Sequence, residues 1–272
     1  MFFASQRASH IQPQTTPKGL AMSKASNGFV IYNGPSLLDG QPIIVVAITK
    51  STNEKTGNMV QTYILRADVE PHKALLTGED SSVCGDCKHR PANGGACYVR
   101  VFQGPLSVYR AFHRGSYTQD NDVKAAREAS KGRMVRLGTY GDHMAVPAEV
   151  WENLTAEAVG RTGYSHQWRS AEVSQDQKDR VMRLCMASAD DAAEAAIAHA
   201  SGLRYFRIRT AEETIGAKEF LCPASAEAGK RKTCAECGAC NGTDRAGKAS
   251  PVIIVHGPMA SRFANQRALI SA

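Results

Sequence analysis

The sequence has few aromatic residues and no long apolar segment. Phe, Trp and Tyr together make up 7% of the 272 residues. The longest apolar run covers residues 42–48, whereas a membrane-spanning helix needs about 20 apolar residues. The N-terminus also lacks a basic stretch followed by a long apolar one, so we expect no signal peptide. These absences predict a cytoplasmic protein that does not associate with a membrane.

Several widespread catalytic motifs are missing as well. The chain has no G-x-x-x-x-G-K-[ST] phosphate loop, no G-x-G-x-x-G, and no H-E-x-x-H. It has no His-x-His pair of the kind that rolling-circle nickases use, and no H-x-E with P-C-x-x-C as in zinc deaminases. The sequence therefore gives no support to the phosphate-loop, dinucleotide, zinc-protease, nickase or deaminase classes.

Acidic residues are fewer than basic ones. The chain has 33 Lys and Arg against 26 Asp and Glu, a formal net charge of +7. Clustered cations neutralise phosphates and release counterions, so this excess favours a nucleic-acid partner. Solubility alone would explain it equally simply, and the charge does not decide between the two.

Strand and helix patterns alternate along most of the chain. Residues 1–26 are polar and without an apolar period, and they predict a disordered tail, so residues 27–272 form a single α/β barrel-like domain. We expect a small or incomplete (β/α) barrel, with a doubly wound sheet as the alternative. The pattern predicts strands at 28–32, 42–48, 59–65, 134–138, 164–168, 181–186, 203–208 and 252–255, helices at 106–113, 147–159, 190–200 and 261–269, and a long loop at 67–97.

The last third of the chain contains the clearest motif. Cys234, Cys237 and Cys240 form a C-x-x-C-x-x-C run in a chain with only eight cysteines. Such a run with one more Cys or His closes a tetrahedral zinc site, and Cys222 and His256 are the rival fourth ligands. An iron–sulfur cluster is the alternative, because four thiolates also bind such clusters. We therefore predict a metal-binding loop over residues 222–256.

A second, weaker cysteine motif lies in the loop at 84–97. Cys84 and Cys87 form a C-x-x-C pair, Cys97 follows, and His89 is a candidate fourth ligand. No helix pattern follows Cys87, which argues against a thioredoxin-like redox pair. The sequence predicts a structural metal here, whereas Cys185 between Leu and Met is expected to be a buried core thiol.

Polar side chains follow the predicted parallel strands, where α/β folds place their chemistry. Asp142 is the main candidate as nucleophile or general base, because it follows a glycine-containing strand exit. Turn and capping roles are the simpler alternative for Asp142, and a solvated face is the alternative for the two arginines. The predicted substrate-binding residues are Tyr140, Gly141, His166, Trp168, Arg207 and Arg209.

Three segments carry a resemblance to a family of bacteriophage proteins. They are Cys84-Gly-Asp-Cys87 with Ala96-Cys97-Tyr98, Arg136-Leu-Gly-Thr-Tyr-Gly-Asp142, and the late cysteines with His256-Gly257. The chain resembles, through these proteins, the DpdA-type enzymes, which are related to tRNA-guanine transglycosylases and insert deazaguanine bases into phage DNA. The transglycosylases have C-x-C-x-x-C where this chain has C-x-x-C-x-x-C, and their D-S-G-G-F-Q string is absent here.

The resemblance implies a (β/α) barrel with a structural zinc ion, and a pentosyltransferase that exchanges guanine for a free deazaguanine base in phage DNA, in the cytoplasm of the bacterial host cell. Asp142 would then be one catalytic carboxylate, and Glu212 or Glu213 the nearest candidates for the other. A homodimer is left open. Two other hypotheses stand beside this one: a non-catalytic, zinc-stapled DNA-binding or replication-associated protein, and an iron–sulfur enzyme of radical type.

Overall fold

The computed structural model describes residues 27–117, 123–245 and 249–271, so the predicted tail at 1–26 lies outside the described residues. The described chain is mixed α/β. Its strands are β1 (Gly28–Pro35), β2 (Pro42–Ile48), β3 (Val60–Arg66), β4 (Met134–Tyr140), β5 (Gly160–Thr162), β6 (Tyr164–Ser165), β7 (Met186–Ala189), β8 (Tyr205–Arg209), β9 (Glu219–Leu221) and β10 (Ser250–Ile254). Its helices are α1 (Pro71–Thr77), α2 (Ser81–Cys84), α3 (Gly104–His113), α4 (Val123–Ser130), α5 (Ala148–Thr155), α6 (Gln175–Leu184), α7 (Ala192–Ala200), α8 (Cys234–Cys237) and α9 (Ala260–Ser271).

The first sheet has the strand order β1-β2-β3-β4-β5. β2 pairs antiparallel with both β1 and β3, whereas β4 lies parallel to β3 and β5 parallel to β4. β2 is apolar and buried from Ile43 to Ala47, as expected for a central strand covered on both faces. The turn before it includes Gly40, which has a φ of +75°.

The second sheet has the order β6-β7-β8-β10-β9, and all of its neighbouring strands are parallel. Only Gly163 separates β5 in the first sheet from β6 in the second, so the two sheets meet there. The Gly163 amide donates to the Cys240 carbonyl at 3.3 Å, and its carbonyl accepts from the Met186 amide at 2.9 Å. A Cβ at Gly163 would lie 2.8 Å from the Cys185 sulfur, so a larger residue does not fit.

The predicted α/β class is confirmed, but the strands described here do not close into a barrel. β1 and β9 form the outer edges of the two sheets, and each pairs with one neighbour. A closed barrel of this type needs eight parallel strands, each returning through a helix. Here the chain begins with a short antiparallel meander, so too few βαβ units follow to complete the circle.

The strand predicted at 181–186 is wrong, because the structure has helix α6 over most of this segment. Ser174 begins the helix by accepting a hydrogen bond from the Gln177 amide. Gln177, Val181 and Leu184 are buried at helical spacing, and the apolar end of this pattern resembles a short strand when it is considered alone. The following strand β7 is shorter and starts at Met186.

Other predicted elements differ in extent. The strand predicted at 164–168 is confined to β6, and the predicted loop at 67–97 contains helices α1 and α2. α4 was not predicted, because its sequence is mainly polar and alanine-rich. Within the described ranges, none of the helices has both the length and the apolar character that crossing a bilayer requires.

A single apolar cluster contains side chains from both sheets and from the helices that cover them. Leu65 in β3 belongs to it and is completely buried, whereas Leu76 in α1 is 79% exposed. We expect Leu65→Ala to lower the free energy of unfolding by about 2–5 kcal/mol, because it removes buried methyl groups and leaves a cavity.

Leu76→Ala removes the same atoms from an exposed site and is expected to change the stability by about 0.5 kcal/mol or less. Urea unfolding followed by circular dichroism measures both values. Equal losses in the two variants would contradict the placement of β3 at the centre of the first sheet.

Candidate functional site

A cavity of about 290 Å³ lies at the carboxyl ends of the parallel strands. Residues that follow β4, β6, β7 and β10 form part of its wall, which is where ligands bind in open and barrel-type α/β folds. Seven of the eight cysteines also line it: Cys84, Cys87, Cys97, Cys222, Cys234, Cys237 and Cys240. The two cysteine motifs of the sequence therefore face one common space.

The early cysteine set consists of Cys84, Cys87 and Cys97, in the long connection after β3. Cys84 ends α2, and its carbonyl accepts hydrogen bonds from the Cys87 amide at 3.3 Å and from Nε2 of Gln167 at 3.1 Å. Gly85 has a φ of +59°, and a Cβ there would lie 2.3 Å from the Gln167 side chain. Glycine at this position therefore lets the cysteine loop pack against the exit of β6.

Burial makes the early thiols weak acids in the absence of a bound cation. It raises the pKa of Cys87 to about 12 and that of Cys97 to about 11. The pKa of Cys84 is raised by burial and, further, by the negative charges that Cys87 and Cys97 would carry. Such thiols lose their protons when a metal binds, so the site favours metal over bare thiolates.

The late cysteine set consists of Cys222, Cys234, Cys237 and Cys240. The Cys222 amide donates to the carbonyl of Val252, which fixes Cys222 beside β10. Burial raises the pKa of Cys240 to about 12, and the charges of the other three thiols raise it as well. The structure thus brings Cys222, which lies well upstream in sequence, to the three clustered cysteines.

α8 holds two of these thiols on a single rigid turn. The Thr233 hydroxyl accepts from the Glu236 amide at 3.3 Å, and the Glu236 carboxylate accepts from the Thr233 amide at 2.7 Å. This reciprocal pair is a capping box. Gly238 ends the turn at a φ of +58°, a conformation that glycine adopts at little cost. Cys234 and Cys237 are therefore positioned by local sequence.

Of the two rival fourth ligands, the geometry favours Cys222 over His256. Nε2 of His256 lies 3.1 Å from Nζ of Lys55, and its Nδ1 lies 3.2 Å from the Ile254 carbonyl. Both ring nitrogens of His256 thus have polar neighbours, and the ring stacks on Tyr98 with 6.4 Å between centroids. Cys222 instead interacts electrostatically with the other late thiols.

The spacing of the thiols does not match one tetrahedral ion. A zinc ion holds each sulfur at about 2.3 Å, which places the sulfurs about 3.8 Å from one another. Across the described ranges, no three cysteine sulfurs lie within 4.8 Å of one another. Zinc in either set therefore stays a prediction.

Two cations lie close to the late cysteine set. Arg136 from β4 and Lys55 from the loop before β3 both line the cavity. Arg136 stands 5.5 Å from the Tyr164 ring and 3.5 Å from the Tyr98 hydroxyl, and Lys55 contacts His256. In the part of the chain that is described, neither forms an ion pair with a carboxylate. Burial lowers the pKa of Lys55, and the charges of Cys222 and Cys234 oppose that change.

Asp142 lines the cavity, but both of its carboxylate oxygens are occupied. Oδ1 accepts from the Met144 amide at 3.1 Å and from the Ser165 hydroxyl at 2.7 Å. Oδ2 accepts from the amides of His166 at 2.7 Å and Gln167 at 3.2 Å. Four donors leave little capacity for attack on a substrate or for proton transfer. This geometry favours a positioning role for Asp142.

The two arginines predicted to bind phosphate are already engaged inside the protein. Arg207 is 1% exposed and binds both carboxylate oxygens of Glu219 at 2.7 Å, with Glu213 at 3.1 Å. Arg209 pairs with Glu227. Glu212 is exposed. The cavity is lined neither by the two arginines nor by Glu212, Glu213, Glu219 and Glu227. The structure therefore separates Glu212, Glu213 and both arginines from the cysteine-lined site.

The remaining predicted binding residues divide between wall and core. Tyr140 and Gly141 line the cavity, and no described group hydrogen-bonds to the buried Tyr140 hydroxyl. Trp168 lies behind the wall, where its indole donates to the Ser188 carbonyl at 3.0 Å. Tyr140 is therefore available to a ligand in the cavity, whereas Trp168 serves the packing of β7.

Sequence reasoning missed a group of three potential ligands in the same cavity. His89, His166 and Asp190 bring one ligand atom each to within 4.8 Å of the other two. The sequence suggested His89 only as a partner of the early cysteines. His166 and Asp190 each directly follow a parallel strand. That shared position was a signal from which their proximity could have been inferred.

Comparisons with known proteins add no family to this description. No protein-family model, curated protein or solved structure matches the chain. The relation to DpdA-type transglycosylases therefore stays a prediction from the quoted motifs, and the functional argument rests on the geometry of the cavity.

We expect Asp142→Asn to lower the free energy of unfolding by about 2 kcal/mol or more. Whichever way the new amide is oriented, its NH₂ group faces two donors that the carboxylate had satisfied, and buried donors left unpaired are costly. Chemical unfolding measures the loss. Asp176→Asn is the matched control, because Asp176 is 81% exposed and makes only a 3.7 Å contact with Arg180, so a loss of about 0.5 kcal/mol or less is expected there. A fully stable Asp142→Asn protein would argue that the carboxylate is not an anchor.

Proposed function

We propose that this protein is an iron–sulfur enzyme of radical type, in which the early and late cysteine sets each hold one cluster at the shared cavity. The observation that carries the proposal is the spacing of the cysteines. Seven thiols line one cavity, yet among the described residues no three sulfurs come within 4.8 Å of one another. The thiolates of a four-iron cluster bind different iron atoms, so they lie farther apart than the ligands of one ion.

The charge of the cavity supports the same proposal. Clusters with thiolate ligands carry net negative charge, which has to be balanced when it is buried. Arg136 and Lys55 supply two positive charges beside the late cysteine set and have no carboxylate partner in the described chain. The Tyr164 hydroxyl also hydrogen-bonds to Cys240 and lowers its pKa against the effect of burial. Hydrogen bonds to sulfur are a common means of tuning such clusters.

The two sets differ in ligand number, which suggests a division of roles. The late set offers four thiolates, enough to complete a four-iron cluster. The early set offers three, and His89 lies 2.8 Å from Asp190, so a cluster held by Cys84, Cys87 and Cys97 would lack a fourth thiolate and stay open to another ligand. Such an open cluster supplies electrons for radical chemistry, for which S-adenosylmethionine is the usual partner. Tyr140 and Arg136 form the wall beside this position and would contact a bound substrate.

The transglycosylase predicted from the resemblance has less support from the geometry. Base exchange needs a carboxylate that is available for attack, and both oxygens of Asp142 accept hydrogen bonds. Glu212 and Glu213 are not among the residues that line the cavity. Guanine exchange, DNA and a deazaguanine base as partners, and the homodimer all stay predictions. Nucleoside analysis of DNA from cells that express the protein tests the exchange directly.

Anaerobic purification is expected to give brown protein with iron and sulfide in about equal amounts, because each cubane cluster contains four of each. Cys234→Ala should remove about half of both, since it breaks only the late cluster. Iron and sulfide analysis with visible absorption spectra measures the loss.

Cys185→Ala is the matched control, because this thiol is buried in the core and does not line the cavity. It should retain the full iron content. Colourless protein with stoichiometric zinc in all three preparations would overturn the proposal in favour of a zinc-stapled protein.

Radical-type activity has its own expected product. After reduction with dithionite, the protein should convert S-adenosylmethionine to methionine and 5′-deoxyadenosine. One electron breaks the bond between sulfur and the 5′ carbon, and the nucleoside takes a hydrogen atom from an organic molecule in the cavity. Chromatography of the products measures the reaction. We expect Cys97→Ala to abolish it and Cys185→Ala to retain it. Iron-loaded wild-type protein that forms no 5′-deoxyadenosine would refute the radical type while leaving the clusters in place.

A further inference from the structure

His89, His166 and Asp190 converge on one point of the cavity wall, from three separate segments. His89 lies in the loop after Cys87, His166 directly follows β6, and Asp190 directly follows β7. One ligand atom of each lies within 4.8 Å of the other two, and all three residues line the cavity. Two imidazoles and one carboxylate on one face are a common ligand set for a divalent transition metal.

The closest pair of ligand atoms has the geometry of neighbouring metal ligands. Nε2 of His89 and Oδ1 of Asp190 are 2.8 Å apart, and their side chains are 13% and 4% exposed. Neither atom has a well-aligned hydrogen-bond partner among the described residues. Two ligands at right angles, each about 2.1 Å from an ion, lie about 3 Å apart. The 2.8 Å separation therefore suits two neighbouring ligands of one ion.

The surrounding contacts hold the three residues without using these atoms. The His166 amide donates to Asp142, which fixes the start of the segment after β6. The other oxygen of Asp190, Oδ2, lies 3.0 Å from Nζ of Lys88, and the Asp190 amide donates to Glu194 at 2.8 Å. Such outer contacts orient ligands in metal sites.

We propose that His89, His166 and Asp190 form a mononuclear site for a divalent first-row transition metal, separate from both cysteine sets. Three protein ligands leave coordination positions open toward the cavity, where water or a substrate oxygen binds. Nitrogen and oxygen ligands suit Fe²⁺, Mn²⁺ and Co²⁺, whereas the thiols of the same cavity prefer softer metals. This site goes beyond the iron–sulfur proposal and does not depend on it.

Manganese is the probe that separates this site from the thiols, because Mn²⁺ binds oxygen and nitrogen ligands in preference to sulfur. The full-length protein is titrated with Mn²⁺ alone, and free Mn²⁺ is followed by its electron paramagnetic resonance signal. One ion per chain is expected. His166→Ala and Asp190→Asn should each weaken binding by at least about tenfold, since each removes a ligand or its charge. His72→Ala should bind like wild type, because His72 lies outside the cavity.

Circular dichroism checks that each variant is folded. If His166→Ala does not fold, Asp190→Asn still tests the site, because asparagine keeps the shape of the aspartate side chain. Cys234→Ala distinguishes the two proposals, because it is expected to lose iron but retain the manganese site. Co²⁺ titration of the same proteins repeats the measurement with a tighter-binding ion. Failure of both ions to bind at one per chain, or wild-type affinity in both His166→Ala and Asp190→Asn, would overturn the site.

Discussion

The Asp142 carboxylate is the contact on which the arrangement of the cavity depends. Its backbone amide donates to the Val83 carbonyl at 2.6 Å, which ties the exit of β4 to the helix that carries the first cysteine. Its oxygens accept from Ser165, His166 and Gln167, which ties the same point to the exit of β6. The Gln167 side chain then returns to the early cysteine loop. One buried charge thus connects three segments that all reach the cavity, and four donors compensate for its burial.

Backbone hydrogen bonds give the late cysteines a comparable support. The Cys234 amide donates to the Lys55 carbonyl at 2.9 Å, and the Cys240 carbonyl accepts from Gly163, where the two sheets meet. Lys55 therefore places both its backbone and its charge against the late set. Because Arg136 projects from β4 into the same space, the two cations and the thiols belong to one electrostatic unit. An anionic metal cluster in each cysteine set would complete the charge balance of that unit.

Buried apolar runs and local motifs were the most predictable features of the chain. The runs that became β2, β3 and β8 were assigned correctly because each is strongly apolar or β-branched and bounded by turn residues. The prediction of a strand at 181–186 was wrong because the apolar residues of this segment lie on one face of α6. The polar half of that helix precedes them. Arg207 and Arg209 appeared as surface cations on one strand face, but the carboxylates of Glu219 and Glu227 occupy them in the interior. No pattern along the chain marks those partners.

The sequence by itself determined the α/β class and the grouping of cysteines, because hydrophobic period and short ligand spacing are local properties. It also determined the rigid turn of α8, through Thr233, Glu236 and Gly238. Only the tertiary structure decided that both cysteine groups face one cavity, that Cys222 joins the late set, and that His89 meets His166 and Asp190. Those relations depend on how the two open sheets meet at Gly163 and on which strand ends become neighbours. Pairing between distant segments leaves no local trace in the sequence.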